Sequence, residues 1–319
     1  MTASLPADVQ AVFDRFITTE LTTVDRRGQP ITWPVTPYYS PGDPSIDVTT
    51  GIGYPKKARD AEANPLVSLL FSDSTGSGLS DPPMVLVQGS AEVDDRDLAA
   101  NRERYARESA EKLPATANLM PPATVRRLLS WYFARIYIHI RPERVYVWSG
   151  GDASGDPTVY GAHMEEVRSG HSEEPERFHA DPGGAAAVWH PRLDELGETY
   201  RTAVVSIVSP DGFPFSVRAP VRSDRGRGVI RIEGELAGVP LQPGLACLTA
   251  HVHAEQFSWQ QNFQVRGDLV WVDEGWALVP RKLVSGFEVP RSRVGFMQTF
   301  VSRTIRYRQT AKRELARRG

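Results

Sequence analysis

The chain has a single cysteine, Cys247, in 319 residues. One thiol excludes a disulfide within the chain and any metal centre built from clustered cysteines; it fits a reducing compartment, so a cytoplasmic protein is expected. Long apolar runs are missing as well. No stretch could cross a bilayer as a helix, and MTASLPADVQAVFDRFI at the start has no basic residues leading into an apolar signal core, so no membrane partner is expected. Nor does one sign of charge dominate: 37 Lys and Arg against 39 Asp and Glu leave a net charge of −2. Such a balance gives no global pull toward nucleic acid, and any anion site has to be local. The motifs GxSxG, HExxH and the P-loop are absent, and with them the simplest signatures of acyl transfer, zinc hydrolysis and nucleotide hydrolysis.

What is present is a chain of ordinary composition, 40% hydrophobic, long enough for two cores. Val9, Val12, Phe13 and Phe16 recur at helical spacing over Ala7 to Ile17, with Asp8 at the positive end of the dipole. Three strands are expected from Thr19 to Thr50, broken at Arg27-Gly28 and at Pro41-Gly42-Asp43-Pro44. PLVSLLF and PMVLVQGSAEVDD read as two more, with Gly89 marking a bulge or a close approach. Residues 95 to 135 are charged, Ala-rich and helical, and IYIHIRPERVYVW reads as a strand, a proline corner and a second strand.

Beyond Trp148 the chain turns rich in Gly, Ser, Pro, His and acid, as a linker does. After it the pattern of the first half returns in the same order. VVSIVSPDGFPFSV echoes ELTTVDRRGQPITW, PGLACLTAHV echoes NPLVSLLFSD, NFQVRGDLVWV echoes MVLVQGSAEV, and WALVPRKLVSGF echoes IYIHIRPERVYVW. An internal duplication follows. The expected class is mainly β with inserted and C-terminal helices, as tandem barrels over residues 1–150 and 187–319 joined by a linker over 151–186.

Chemistry concentrates in GYPKKARDAEANPLVSLLF, Gly53 to Phe71. Lys56, Lys57 and Arg59 stand just ahead of an Asn-Pro turn and a buried strand, with the hydroxyls of Thr49 and Thr50 close by. Short charge-assisted bonds from such a set suit a phosphate, and cations that merely solvate a turn, with Arg59 paired to Asp60 or Glu62, would look the same in sequence. The stretch is similar to the arginine-lysine segment of the pyridoxamine 5'-phosphate oxidase family and its deazaflavin relatives, and the resemblance runs from Phe13 to Trp148. It implies split β-barrels whose basic cluster holds the phosphate of FMN, or a corresponding part of coenzyme F420, in a groove between two barrels. Here both barrels would lie in one chain, as a pseudo-dimer with one cofactor and room for a further homodimer.

The groove would be lined by Trp33, Val35, Thr36 and Met84, and covered from the second half by Trp259, Gln260, Asn262 and Arg266. Each of these also fits plain barrel packing. Trp33 stands where the oxidase has an arginine and Met84 where it has a glutamine, which removes the groups for pyridoxamine phosphate itself. The second copy's counterpart, Ile232 to Leu248, has no Lys or Arg. The function expected is an oxidoreductase passing a hydride between FMN, or F420, and a small organic substrate; the alternative is a non-catalytic protein that binds or stores a flavin, F420 or haem. His251 and His253 read as one face of a half-exposed strand rather than a metal site. His163, His171 and His179 read as solvated, and the tail with Val294, Met297, Val301 and Ile305 as a helix with a basic outer face.

Overall fold

The computed structural model describes residues 5–114, 124, 130–161, 189–273, 275–286 and 307–317. The three linker histidines and the four apolar tail positions lie outside them. The first half opens with α1 (Ala7–Arg15), which buries Val9, Val12 and Phe13. Three strands follow, β1 (Thr19–Val24), β2 (Pro30–Val35) and β3 (Ile46–Gly51), then α2 (Lys56–Ala63), β4 (Leu66–Phe71) and β5 (Met84–Asp94). The charged region holds α3 (Leu98–Lys112) and α4 (Ser130–Phe133) before β6 (Arg135–Trp148) and the short β7 (Thr158–Gly161). The second half is built from β8 (Thr202–Val208), β9 (Pro214–Asp224), β10 (Val229–Ile232), β11 (Gly244–His253), β12 (Gln260–Val272) and β13 (Gly275–Ser285). A last helix, α5, spans 307–317.

The molecule is mainly β, two split barrels in tandem with added helices. Strand order in the first sheet is β2-β1-β4-β5-β6-β3, with β7 on the outer side of β6; in the second it is β9-β8-β11-β12-β13-β10. Strand for strand these are the same. The second sheet closes because β9 also pairs with β10, whereas in the first a single bridge, Tyr38 to Asp47, stands at that place. Both copies carry one bulge at the same point. Gly89 faces Pro142 across a register shift, and Gly267 faces Pro280 across another. A Cβ at either glycine would fall about 2 Å from a carbonyl oxygen, 2.1 Å from that of Arg141 and 2.0 Å from that of Val279, so only glycine lets the strands pass. IYIHIRPERVYVW is therefore one bulged strand rather than two strands around a corner. β7 falls in the span expected as linker, yet it extends the first sheet.

The halves meet through matching strands. Thr22 pairs with Thr32 across β1 and β2, and Ser206 with Ser216 across β8 and β9. Their four hydroxyls form one buried cluster: Thr22 to Ser216 at 2.8 Å, Thr32 to Ser206 at 2.7 Å, Thr22 to Thr32 at 2.9 Å and Ser206 to Ser216 at 2.8 Å. Hydroxyls both donate and accept, so such a ring satisfies itself without water. Amides add to it. Gln88 Nε2 donates to the Pro214 carbonyl at 3.0 Å and Gln264 Nε2 to the Thr32 carbonyl at 2.7 Å. No helix among the described residues is long and apolar enough to cross a membrane.

Candidate functional site

The three cations predicted from the sequence lie on α2 itself, in its first turn, rather than in the segment leading to a helix. No side chain caps that N-terminus and no acid stands in its first turn, so the helix dipole and the cations oppose one another. At about 100° per residue the helix also splays them, with Lys57 and Arg59 roughly 160° apart. Their surroundings differ accordingly. Lys56 Nζ donates to both oxygens of Asp60 at 2.9 and 2.8 Å and lies 3.9 Å from Asp25. Arg59 donates to Glu314 of α5, a carboxylate with no solvent exposure. Neither pairing partner of Arg59 expected from sequence is the one used.

Lys57 is different. Among the described residues it has no carboxylate within ion-pair distance, and its ammonium lies 5.6 Å from the centre of the Tyr54 ring. Burial, and after it the charge of Arg135, push its pKa down to about 8. Arg135 enters because β3 and β6 pair with Gly51 opposite Arg135. Its guanidinium donates to Tyr54 at 3.1 Å and Tyr105 at 2.8 Å, and lies 4.0 and 4.4 Å from the ring centres of Tyr105 and Tyr132. Arg135 Nε is buried with no hydrogen-bond partner among the described residues. Burial raises the Tyr54 phenol above its ordinary pKa, so it stays a neutral donor. Thr50 Oγ1 donates to the Tyr54 carbonyl at 3.0 Å, and Thr49 is its half-buried neighbour on β3. The result is two cations close together, set in tyrosine hydroxyls and rings, with no carboxylate in ion-pair contact among the described residues; Asp60, whose charge acts on Lys57, is itself bound by Lys56.

The other candidates fall in three further places. Trp33 lies against the second half: a Cβ at Gly286 would be 2.9 Å from its Cζ3 and would overlap Asn262. Val35 packs on the first core and Thr36 is half-buried. Trp259 is half-buried in the turn between β11 and β12, its carbonyl accepting from the Ala254 amide at 3.0 Å. Met84, 2% exposed, joins the core shared with the second barrel, with Trp148 and Phe215. It also lines a cleft of about 190 Å³ with Phe16, Phe71, Ser72 and Asp81. Met84 is thus not grouped with Trp33 and Val35: by register Trp33 stands in the row of Leu21, Leu69 and Val87, whereas Met84 stands opposite Trp148 at the start of β5. In the second half, residues 233–243 form no helix, and their backbone packs against the first half's 153–157: Ala237 N donates to the Ala153 carbonyl at 3.0 Å and Gly238 abuts Pro157.

Arg135, Tyr54 and Tyr105 were not singled out from sequence. The one available signal was that RIYIHI begins with a cation inside an otherwise apolar strand.

No family model and no curated protein matches the chain. Solved structures are similar to it in fold. They include a protein related to general stress protein 26, of the pyridoxinephosphate oxidase family, from Clostridium acetobutylicum (10% identity, 49% of this chain and 92% of that one, TM-score 0.34). An F420 reductase is another (20% identity, 44% and 98%, TM-score 0.33). A third is HutZ, the haem storage protein from Vibrio cholerae (18% identity, 46% and 96%, TM-score 0.32).

Proposed function

We propose that the chain is an FMN-binding oxidoreductase in which Lys57 and Arg135 hold the cofactor phosphate and the two halves act as a pseudo-dimer, over 1–150 and 187–319, around one cofactor. The observation that supports this is the pair of half-buried and buried cations with no carboxylate in ion-pair contact among the described residues. Two like charges forced together in a partly dry site are relieved by a dianion, and a phosphate monoester carries nearly two charges at neutral pH. The phosphodiester of F420 carries one, which is why FMN is preferred here.

From Tyr38, whose bridge to Asp47 ends beside this cluster, to Trp33 is five residues of extended chain, roughly 17 Å at most. A ribityl phosphate and a three-ring system span a distance of that order. Thr50 and Tyr54 keep the loop before α2 in place, Arg135 and Lys57 carry the charge, and half-buried Trp33, with Asn262 and Gly286 behind it, offers a ring face on which a flavin could stack. The flavin, when bound, supplies hydride chemistry toward a small organic substrate. With its one thiol buried, the protein is proposed to work in the cytoplasm.

Titration of the purified chain with FMN, followed by flavin fluorescence, tests this. Lys57→Gln removes one charge-assisted bond of about 1.5–3 kcal/mol and should weaken FMN at least about tenfold. An unchanged affinity in the variant means that the phosphate is held elsewhere; binding of F420 in place of FMN, read from the absorption spectrum, redirects the cofactor assignment.

A further inference from the structure

Away from the candidate site, where the halves meet, five ionisable side chains cluster: Glu20 on β1 and His251 and His253 on β11, all buried, with Arg218 on β9 and Asp73 just past β4, both half-buried. Both histidines are 6% exposed, so the half-exposed strand expected from sequence is here an interface strand. Glu20 is fully buried. His251 Nε2 lies 2.6 Å from Glu20 Oε1 and also 2.6 Å from a terminal nitrogen of Arg218. The same arginine nitrogen is 2.9 Å from Glu20, while Arg218 Nε donates to Ser72 Oγ at 2.9 Å and its other terminal nitrogen to Thr202 Oγ1 at 3.2 Å. Ser72 in turn donates to Glu20 Oε2 at 2.9 Å. His251 Nδ1 is buried with no hydrogen-bond partner among the described residues, 3.7 Å from Asp73 Oδ2.

No single protonation state suits His251 Nε2 where it stands. If it carries a proton it donates to Glu20 and faces an N–H of Arg218; if it does not, it accepts from Arg218 and its lone pair faces a carboxylate oxygen. The ring therefore has two arrangements, chosen by one proton. Charge points the same way. The first half brings two carboxylates to the seam and the second half one permanent cation, so one further positive charge neutralises it.

We propose that His251 is a proton-operated latch between the two halves. With the proton, Nε2–H binds Glu20 and the charged ring faces Asp73, both across the seam; without it, the one remaining N–H is on Nδ1, Nε2 accepts from Arg218, a neighbour in its own half, and the cross-seam bond to Glu20 is lost. The groups facing His251 hold still while this happens. The hydrogen bond from His251 and the charge of Arg218 outweigh burial and keep Glu20 below its ordinary pKa, and Arg218 and His251 likewise hold Asp73 at about 2. Burial lowers His253, whose Nδ1–H is spent on the Ala254 carbonyl at 3.0 Å and whose Nε2 accepts from Thr18 at 3.0 Å. The latch stands independently of any cofactor.

The test is made on the full chain without ligand. Imidazole ¹⁵N spectra and backbone hydrogen exchange in β2 and β9 are recorded between pH 5 and 9. The expected result is a single interface ring that titrates, with exchange at the seam slowing at least about tenfold as that ring gains its proton, the worth of one charge-assisted bond. His251→Gln should abolish the pH step and His253→Gln should keep it. Seam protection that ignores pH in the wild-type chain, or a step that survives in His251→Gln, overturns the proposal.

Discussion

The segment from β3 through α2 to β4 and its counterpart from β10 to β11 occupy the same place in the same strand order, and they have been put to different uses. In the first, a helix with three cations lies beside Arg135 and the tyrosines. In the second, residues 233–243 have no helix and no cation, and they pack on 153–157 of the first half. The shared architecture sits in the strands, where the paired bulges and the four-hydroxyl cluster repeat. The proposed binding chemistry sits in the connections, which are free to diverge because no ladder hydrogen bond depends on them. On the proposed function, duplication leaves one copy of the site to bind a cofactor while the other becomes packing.

The strongest way to test this parity of frameworks is at the bulges. Gly89→Ala and Gly267→Ala each drive a Cβ into a backbone carbonyl, and a cost of about 1–3 kcal/mol is expected from each, seen as a lower midpoint in denaturant melts. A large loss from one and none from the other would break the equivalence of the two copies.

The disparity in charge should show in pH dependence. Lys57 releases its proton at about 8 in the fold against 10.5 unperturbed. Between these values the unfolded chain holds the proton and the folded chain does not, so ligand-free stability rises with pH from about 8 to 10.5. Anion binding needs the charged form, so affinity for inorganic phosphate should fall by up to about tenfold per pH unit above 8. Lys57→Arg should flatten that fall, because arginine stays charged. Calorimetric titrations of both proteins at several pH values decide it; an equal fall in both removes Lys57 from the site.

The smallest effects are expected at the hydroxyl cluster. Thr22→Val and Ser206→Ala remove matching hydroxyls from the two halves, and each should cost about 1 kcal/mol. Unequal losses, measured by the same melts, would show that the junction is less symmetric than its distances.

Much of this was legible before any coordinates. Helical spacing gave α1, alternation gave the strands, and the recurring order of the segments announced a repeated sheet, because these are local periodicities that burial imposes on any sequence. Gly89 was marked by its isolation within a strand. The basic segment too was visible, since three cations before an Asn-Pro turn stand out against a nearly neutral chain. What became of those cations was not visible. Asp60 captures Lys56, Glu314 captures Arg59 from 255 residues away, and only Lys57 meets Arg135, through a β3–β6 register that nothing in Gly53 to Phe71 specifies. Met84 and Trp33 looked like one wall and lie in two places; His251 and His253 looked half-exposed and are sealed between the halves. Local pattern decides which residues can form a strand or a helix and which side of it is apolar. Which charges end up paired depends on distances between segments far apart in the chain, and those exist only once the barrels have closed and docked.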